Sequence, residues 1–193
     1  MPLSARTPRE AFRVFQDHVN GILNKVLTRY RLEFFVSTAT RDQATLAFFD
    51  RRRVAVAVPL APSPWYLYLG LELKAVAEEQ GYGLQALKYA YRIQRTPSLE
   101  EEAEVRFEYV SPEMDPSASW CRHHIQFHRD YHEVRSDFSP SKLHIPTGWV
   151  TIENVIRFLI TDLGVSPLTE EWDEELRRSE EQFREWTRRE VPE

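Results

Sequence analysis

The chain has 193 residues, of which 42% are hydrophobic, 28% charged and 12% aromatic, with a formal net charge of -5. That length suits one domain, 1–193, and buries enough surface to hold a core without staples; one cysteine, Cys121, excludes an internal disulfide and argues against a cysteine-based zinc site. The negative balance supplies no global field toward nucleic acid or anionic lipid, and no run approaches the ~20 apolar residues of a spanning helix, so a non-membrane protein of a reducing, cytoplasmic compartment is expected.

Thr7-Pro8-Arg9-Glu10 is a helix start, with Thr7 as cap, Pro8 in the first turn and Glu10 completing a capping box. Phe12, Phe15, Val19, Ile22, Leu23, Val26, Leu27 and Tyr30 then paint one face of a helix over 8–30. No secretory signal is read at this end, because no apolar run follows Arg6 and Arg9. The period changes to strand over 32–38, 43–49 and 54–59, which together predict an antiparallel meander. A proline-rich loop leads to a strand at 65–69, and residues 72–80 either continue that strand or, as the preferred reading, form a short helix before Gly81-Tyr82-Gly83. Leu87 to Gln94 and Ala103 to Tyr109 alternate as strands around a polar turn. Thr151 and Thr169 cap two closing helices, and Gly164 stops the first. The last helix, within a peripheral charged segment over 166–193, has a thin stripe of Trp172, Leu176, Phe183 and Trp186. Such a stripe lies on a domain edge or meets a partner or second copy. The fold class predicted is α+β: antiparallel strands with an N-terminal helix and two C-terminal helices. The Arg-rich segments Arg51-Arg52-Arg53 and Arg177-Arg178 read as solvated turns or helix faces.

Four of the six histidines, His123, His124, His128 and His132, fall in ten residues, and His144 follows. His18, in the first helix, reads as a surface or boundary residue. Read as a strand, the segment puts Cys121, His123, Ile125 and Phe127 on one face and Arg122, His124, Gln126 and His128 on the other. The polar set continues Lys88, Arg92, Glu104, Arg106 and Glu108 if the strands are neighbours with aligned faces. Imidazole, carboxylate and guanidinium groups would then share a surface able to bind a phosphodiester and move protons. The competing reading is the ordinary wet side of an antiparallel sheet. Read as a helix, the segment spaces His124, His128 and His132 four apart, so adjacent pairs would chelate a metal. Ile125 and Phe127 favour the strand, no clear third ligand is specified, and no metal or cofactor is assigned. His123 reads as a satisfied, buried histidine.

Tyr91-Arg92-Ile93, Arg106-Phe107-Glu108 and His124-Ile-Gln-Phe-His128 resemble motifs of small bacterial proteins of the TumE-like toxin group and related uncharacterised families. The likeness covers Tyr89 to His128. This chain carries Phe107-Glu108 where Tyr-Asp is more usual, and its paired histidines are more widely spaced. The resemblance implies a role near toxin–antitoxin or phage-defence systems and RNA cleavage.

Two functions are expected from these readings. One is action on nucleic acid as a metal-independent ribonuclease. His124 or His128 would be its acid or base, Glu108 would orient the ring, and Arg92, Arg106, Arg122 and His144 would bind the substrate. The alternative is a non-catalytic protein-interaction subunit that docks a partner or forms a homodimer through the C-terminal helix.

Overall fold

A computed structural model describes residues 5–79, 81–117, 122–127 and 144–187. The elements are α1 (Pro8–Val26), β1 (Glu33–Val36), β2 (Gln43–Ala47), β3 (Val58–Pro59), β4 (Tyr66–Glu78), β5 (Gly81–Gln94), β6 (Val105–Val110), β7 (His123–Phe127), β8 (His144–Pro146), α2 (Ile152–Thr161) and α3 (Trp172–Thr187). The strands form one antiparallel sheet in the order β1-β2-β4-β5-β6-β7-β8, and β3 pairs with the start of β4. An α+β fold with one N-terminal and two C-terminal helices is thus what the structure shows. No helix among the described residues is long and apolar enough to cross a membrane.

The three helices cover one side of the sheet. Strand alternation turns Leu67, Leu69 and Leu71 of β4, Tyr89, Tyr91 and Ile93 of β5, and Val105 and Phe107 of β6 toward that side, where all are buried. Phe12, Val19 and Leu23 of α1 join the same core, as do Val155, Ile156 and Leu159 of α2 and Leu176 of α3. Phe107 meets Phe158 of α2 edge-on, with ring centroids 5.7 Å apart. The turn after α1 is held by Asn20, whose amide donates to the Leu32 carbonyl at 2.9 Å and accepts from the Leu32 amide at 2.7 Å. A buried polar side chain is thereby satisfied on both sides.

Four expectations are corrected in detail. Helix α1 stops at Val26, and Tyr30 lies exposed beyond it. Its N-terminus is capped by Thr7, but the Glu10 carboxylate takes the Arg6 amide, one residue before the box position. Residues 54–59 pair only in pieces: Ala55 bridges Phe49, with the Val56 amide on the Phe48 carbonyl, and Val58 and Pro59 pair with β4, while the Ala57 amide goes to the Pro97 carbonyl. Residues 72–79 supply no helix, and Gln80 lies outside the described residues. Through Glu78 they are the second half of β4, paired residue by residue with β5 down to Glu78 opposite Gly81. Local helix propensity is worth a few tenths of a kcal/mol per residue, and a long ladder with a buried face outweighs it. Gly81 closes this hairpin at φ +130, where a Cβ would strike the Ala5 carbonyl. A register shift at Glu72/Leu73 changes which residues of β5 face the helices, so that Leu73 lies opposite Ala86 and Leu87 is buried at the bulge.

The expected helix over 151–164 is α2. The Thr151 hydroxyl accepts the Asn154 amide and the Asn154 side chain accepts the Thr151 amide. Helix α3 starts at Trp172 rather than directly after Thr169, whose hydroxyl bonds to the Glu171 carboxylate.

Candidate functional site

The side of β4 to β8 away from the helices is where the polar residues converge. Cross-strand pairing produces one row, Tyr68, Arg92, Arg106, Gln126 and His144, and beside it a second, Gly70, Ala90, Glu108, His124 and Pro146. Because antiparallel partners point to the same side, Arg92, Arg106, Glu108 and His124 share one face as the alternation predicts.

Glu108 is the centre of this group. The His124 Nε2 lies 3.3 Å from one carboxylate oxygen, and an Arg106 guanidinium nitrogen lies 3.9 Å from the other. The second arm of Arg106 donates to the Gln126 side-chain oxygen. The His124 ring, 3.3 Å away, holds the Glu108 carboxyl below the usual carboxylate range, against the upward pull of burial, and Arg106 adds to the effect. The histidine side chain is 12% exposed and the carboxylate 30%. A carboxylate beside an imidazole orients the ring, as a proton-transfer group requires.

The other binding candidates divide. The Arg92 guanidinium donates to the carbonyls of Leu99 and Glu101, so it latches the loop over 95–104 instead of presenting a free fork to phosphate. Gln94 anchors the same loop through the carbonyls of Thr96 and Ser98, both at 2.7 Å. Arg122 lies in the bend before β7 and is half-buried. His144 takes its place in β8 opposite Gln126. His128 and His132 lie outside the described residues, as do Cys121 and Trp120. Among the described residues no three His, Cys, Asp or Glu side chains gather as a metal-binding group.

His123 faces the helices, as the odd-numbered set predicts. Its ring stacks on Tyr109 at 4.3 Å and its Nδ1 lies 3.1 Å from the Tyr89 hydroxyl, which also accepts the Val150 amide at 3.3 Å. Trp149 closes over the group with its ring 5.6 Å from that of His123. Burial depresses the His123 imidazole, helped by the Arg122 charge. It pushes the Tyr89 phenol up to about 12. Since the folded chain keeps this proton above the ordinary value of 10, stability is full below pH 10 and falls as pH rises toward 12. The expected loss is roughly 2–3 kcal/mol from Tyr89. Denaturant titrations across that range should show a shallower alkaline decline in Tyr89→Phe; an identical decline would remove this account.

One polar cluster had no signal in the chain. His18 of α1, Glu153 of α2 and Ser179 of α3 meet where the three helices join. The Ser179 hydroxyl donates to Glu153 at 2.6 Å and lies 3.1 Å from the His18 Nε2. With the serine proton on the carboxylate, the ring nitrogen is assigned as donor to the serine oxygen. Burial depresses His18, and Glu153 opposes that shift. Residues 18, 153 and 179 are remote in sequence, and no spacing rule joins them.

Of the stripe on the last helix, Trp172, Leu176 and Phe183 are engaged within the chain, and the Trp186 side chain lies outside what the structure describes. Leu176 is fully buried, Trp172 and Phe183 pack on the core, and Phe183 lies 6.1 Å from Phe15. The outer side of α3 carries its charge, with Arg177 paired to Asp173 and Arg178 to Glu174 and Glu175. In comparisons with known proteins, no family model, no curated protein and no solved structure matches the chain.

Proposed function

We propose that this protein acts on RNA through the sheet face of β5 to β7, as a metal-independent ribonuclease with His124 as its proton-transfer residue. The observation that carries the reading is the His124–Glu108 contact with Arg106 on the far oxygen of the same carboxylate. Lys88, exposed in the neighbouring row, adds a cation within reach of a phosphate. The TumE-like motifs in these same strands point to the same chemistry and to a toxin or defence setting.

In the proposed step the His124–Glu108 pair takes the proton of a ribose 2′-hydroxyl as its oxygen bonds to phosphorus. The P–O5′ bond breaks, and the departing 5′ oxygen takes a proton back from the pair. The products are a 2′,3′-cyclic phosphate and a 5′-hydroxyl, so no water is consumed and no electron changes hands. Arg106 and Lys88 stabilise the charge that builds on the phosphoryl oxygens.

The test is to incubate the purified chain with single-stranded RNA in the presence of a chelator and to identify the new ends. Cyclic phosphate and 5′-hydroxyl ends, absent in a folded variant lacking both His124 and His128, are expected. Intact RNA with the wild-type chain, or full activity in that double variant, would overturn the reading.

A further inference from the structure

We propose that the edge of β5 at Gly83–Ala86 is a strand-docking site whose occupant is the chain's own segment Met1–Ser4, in the register that Ala5 begins. That segment lies outside the described residues, and the edge that receives it is what points to it.

Strand β5 is paired with β4 from Gly81 to Gln94. On its other edge the pairing with β6 begins at Lys88, opposite Val110, and the Leu87 carbonyl takes the Ser111 amide. At the hairpin end of the same edge, the Tyr82 amide donates to the Ala5 carbonyl at 2.9 Å. Between these two points no strand among the described residues pairs with Gly83, Leu84, Gln85 or Ala86 on this edge. Such an edge offers backbone donors and acceptors to an incoming strand. The site is apolar on the helix side, where Leu84 and Ala86 pack against the core.

Ala5 fixes the direction and the register. It is 2% exposed, and Gly81 at φ +130 makes room for its carbonyl. It bridges Tyr82 antiparallel, so each step back from Ala5 is a step forward along β5. Ser4 then stands opposite Gly83, Leu3 opposite Leu84, Pro2 opposite Gln85 and Met1 opposite Ala86. Because the Tyr82 amide bonds to Ala5 itself, these two form a hydrogen-bonded pair, and bonded and non-bonded pairs alternate along an antiparallel ladder. Leu3 and Leu84 therefore exchange bonds, while Pro2 and Ser4 turn their backbone groups away from β5. Proline has no amide hydrogen and is tolerated in an edge strand where that group would face outward. Pro2 falls at such a position; a slip of one residue would place it where an amide must donate.

The side chains agree with this register. Met1, Leu3 and Ala5 share the side of Tyr82, Leu84 and Ala86, and Pro2 and Ser4 share the other. Leu3 covers Leu84, which the described residues leave half-buried. A strand of a second copy would compete with a segment already tethered one residue from the edge, whose effective concentration is far higher.

Nuclear magnetic resonance on the full chain tests the proposal. Non-bonded antiparallel pairs bring α-carbons closest, so Overhauser contacts are expected between the α-protons of Ser4 and Gly83 and between those of Pro2 and Gln85. The Leu84 amide should exchange with deuterium about tenfold more slowly in the wild-type chain than in Leu3→Pro, and Ser4→Ala should leave it unchanged. The Tyr89 amide, inside the β5–β6 ladder, should exchange alike in all three and reports that the fold is kept. Should Leu3→Pro not fold, the α-proton contacts of the wild-type chain decide. Absence of both contacts in the folded chain, or Leu84 exchange that a folded Leu3→Pro leaves unchanged, overturns the proposal. Leu84 protection that rises with protein concentration also overturns it, because a second copy would then occupy the edge.

Discussion

Replacing His124 with alanine is expected to lower RNA cleavage by about 10²–10⁴-fold, the usual contribution of one positioned proton-transfer group. The fold should survive. His124 faces away from the three helices, and its carboxylate partner is partly exposed. Glu108→Gln separates orientation from charge. The amide still meets the ring but carries no charge and does not titrate, so cleavage should fall and the acid limb set by Glu108 should disappear. The sign follows from Glu108 itself. Its carboxyl is held below the ordinary value of 4.5, so the pair is intact above that value and is lost as pH falls through the lower folded one. Rates measured from neutral pH downward should show this acid loss in the wild-type chain and lack it in Glu108→Gln. A wild-type rate in a folded His124→Ala chain would remove His124 from the mechanism.

Ser179→Ala is expected to cost about 2–3 kcal/mol of folding stability, a large fraction of what a domain of this size has. The serine hydroxyl is the hydrogen-bond link between a buried carboxylate on α2 and an imidazole on α1. Its removal shrinks the side chain by one atom, so packing barely changes. What is lost is a hydrogen bond to a charged group, and Glu153 remains with His18 at 3.9 Å. A buried carboxylate stripped of a donor bears its desolvation cost. Urea titrations of the single and double variants at 153 and 179 should give a coupling well above the error of the measurement. Additive effects would show that the cluster is incidental.

Much of the architecture was legible because it rests on local patterns. The stripe from Phe12 to Val26, the capping residues Thr7 and Thr151, and the alternation around Tyr89, Phe107 and Ile125 each constrain a few neighbouring backbone angles and one buried face. Those readings predicted α1, α2, β5, β6 and β7 and placed Glu108 and His124 on the same side. Residues 72–80 were misread for the complementary reason. Their short polar run resembles a helix by itself, and a cross-strand partner that starts at Gly81 outweighs that preference. Likewise Arg92 read as a phosphate ligand because alternation reports its side of the strand and nothing about the carbonyls that its guanidinium meets.

By itself the chain determined its fold class, the strand that carries the histidines and the side on which they stand, since period-two alternation and helix capping act over a few residues. Tertiary structure alone decided which oxygen His124 touches, that Tyr68 lies on Gly70, that Trp172, Leu176 and Phe183 of the last helix pack on its own core, and that His18, Glu153 and Ser179 meet. Those outcomes depend on register across strands and on helix packing between segments far apart in sequence, and no local pattern records such distances.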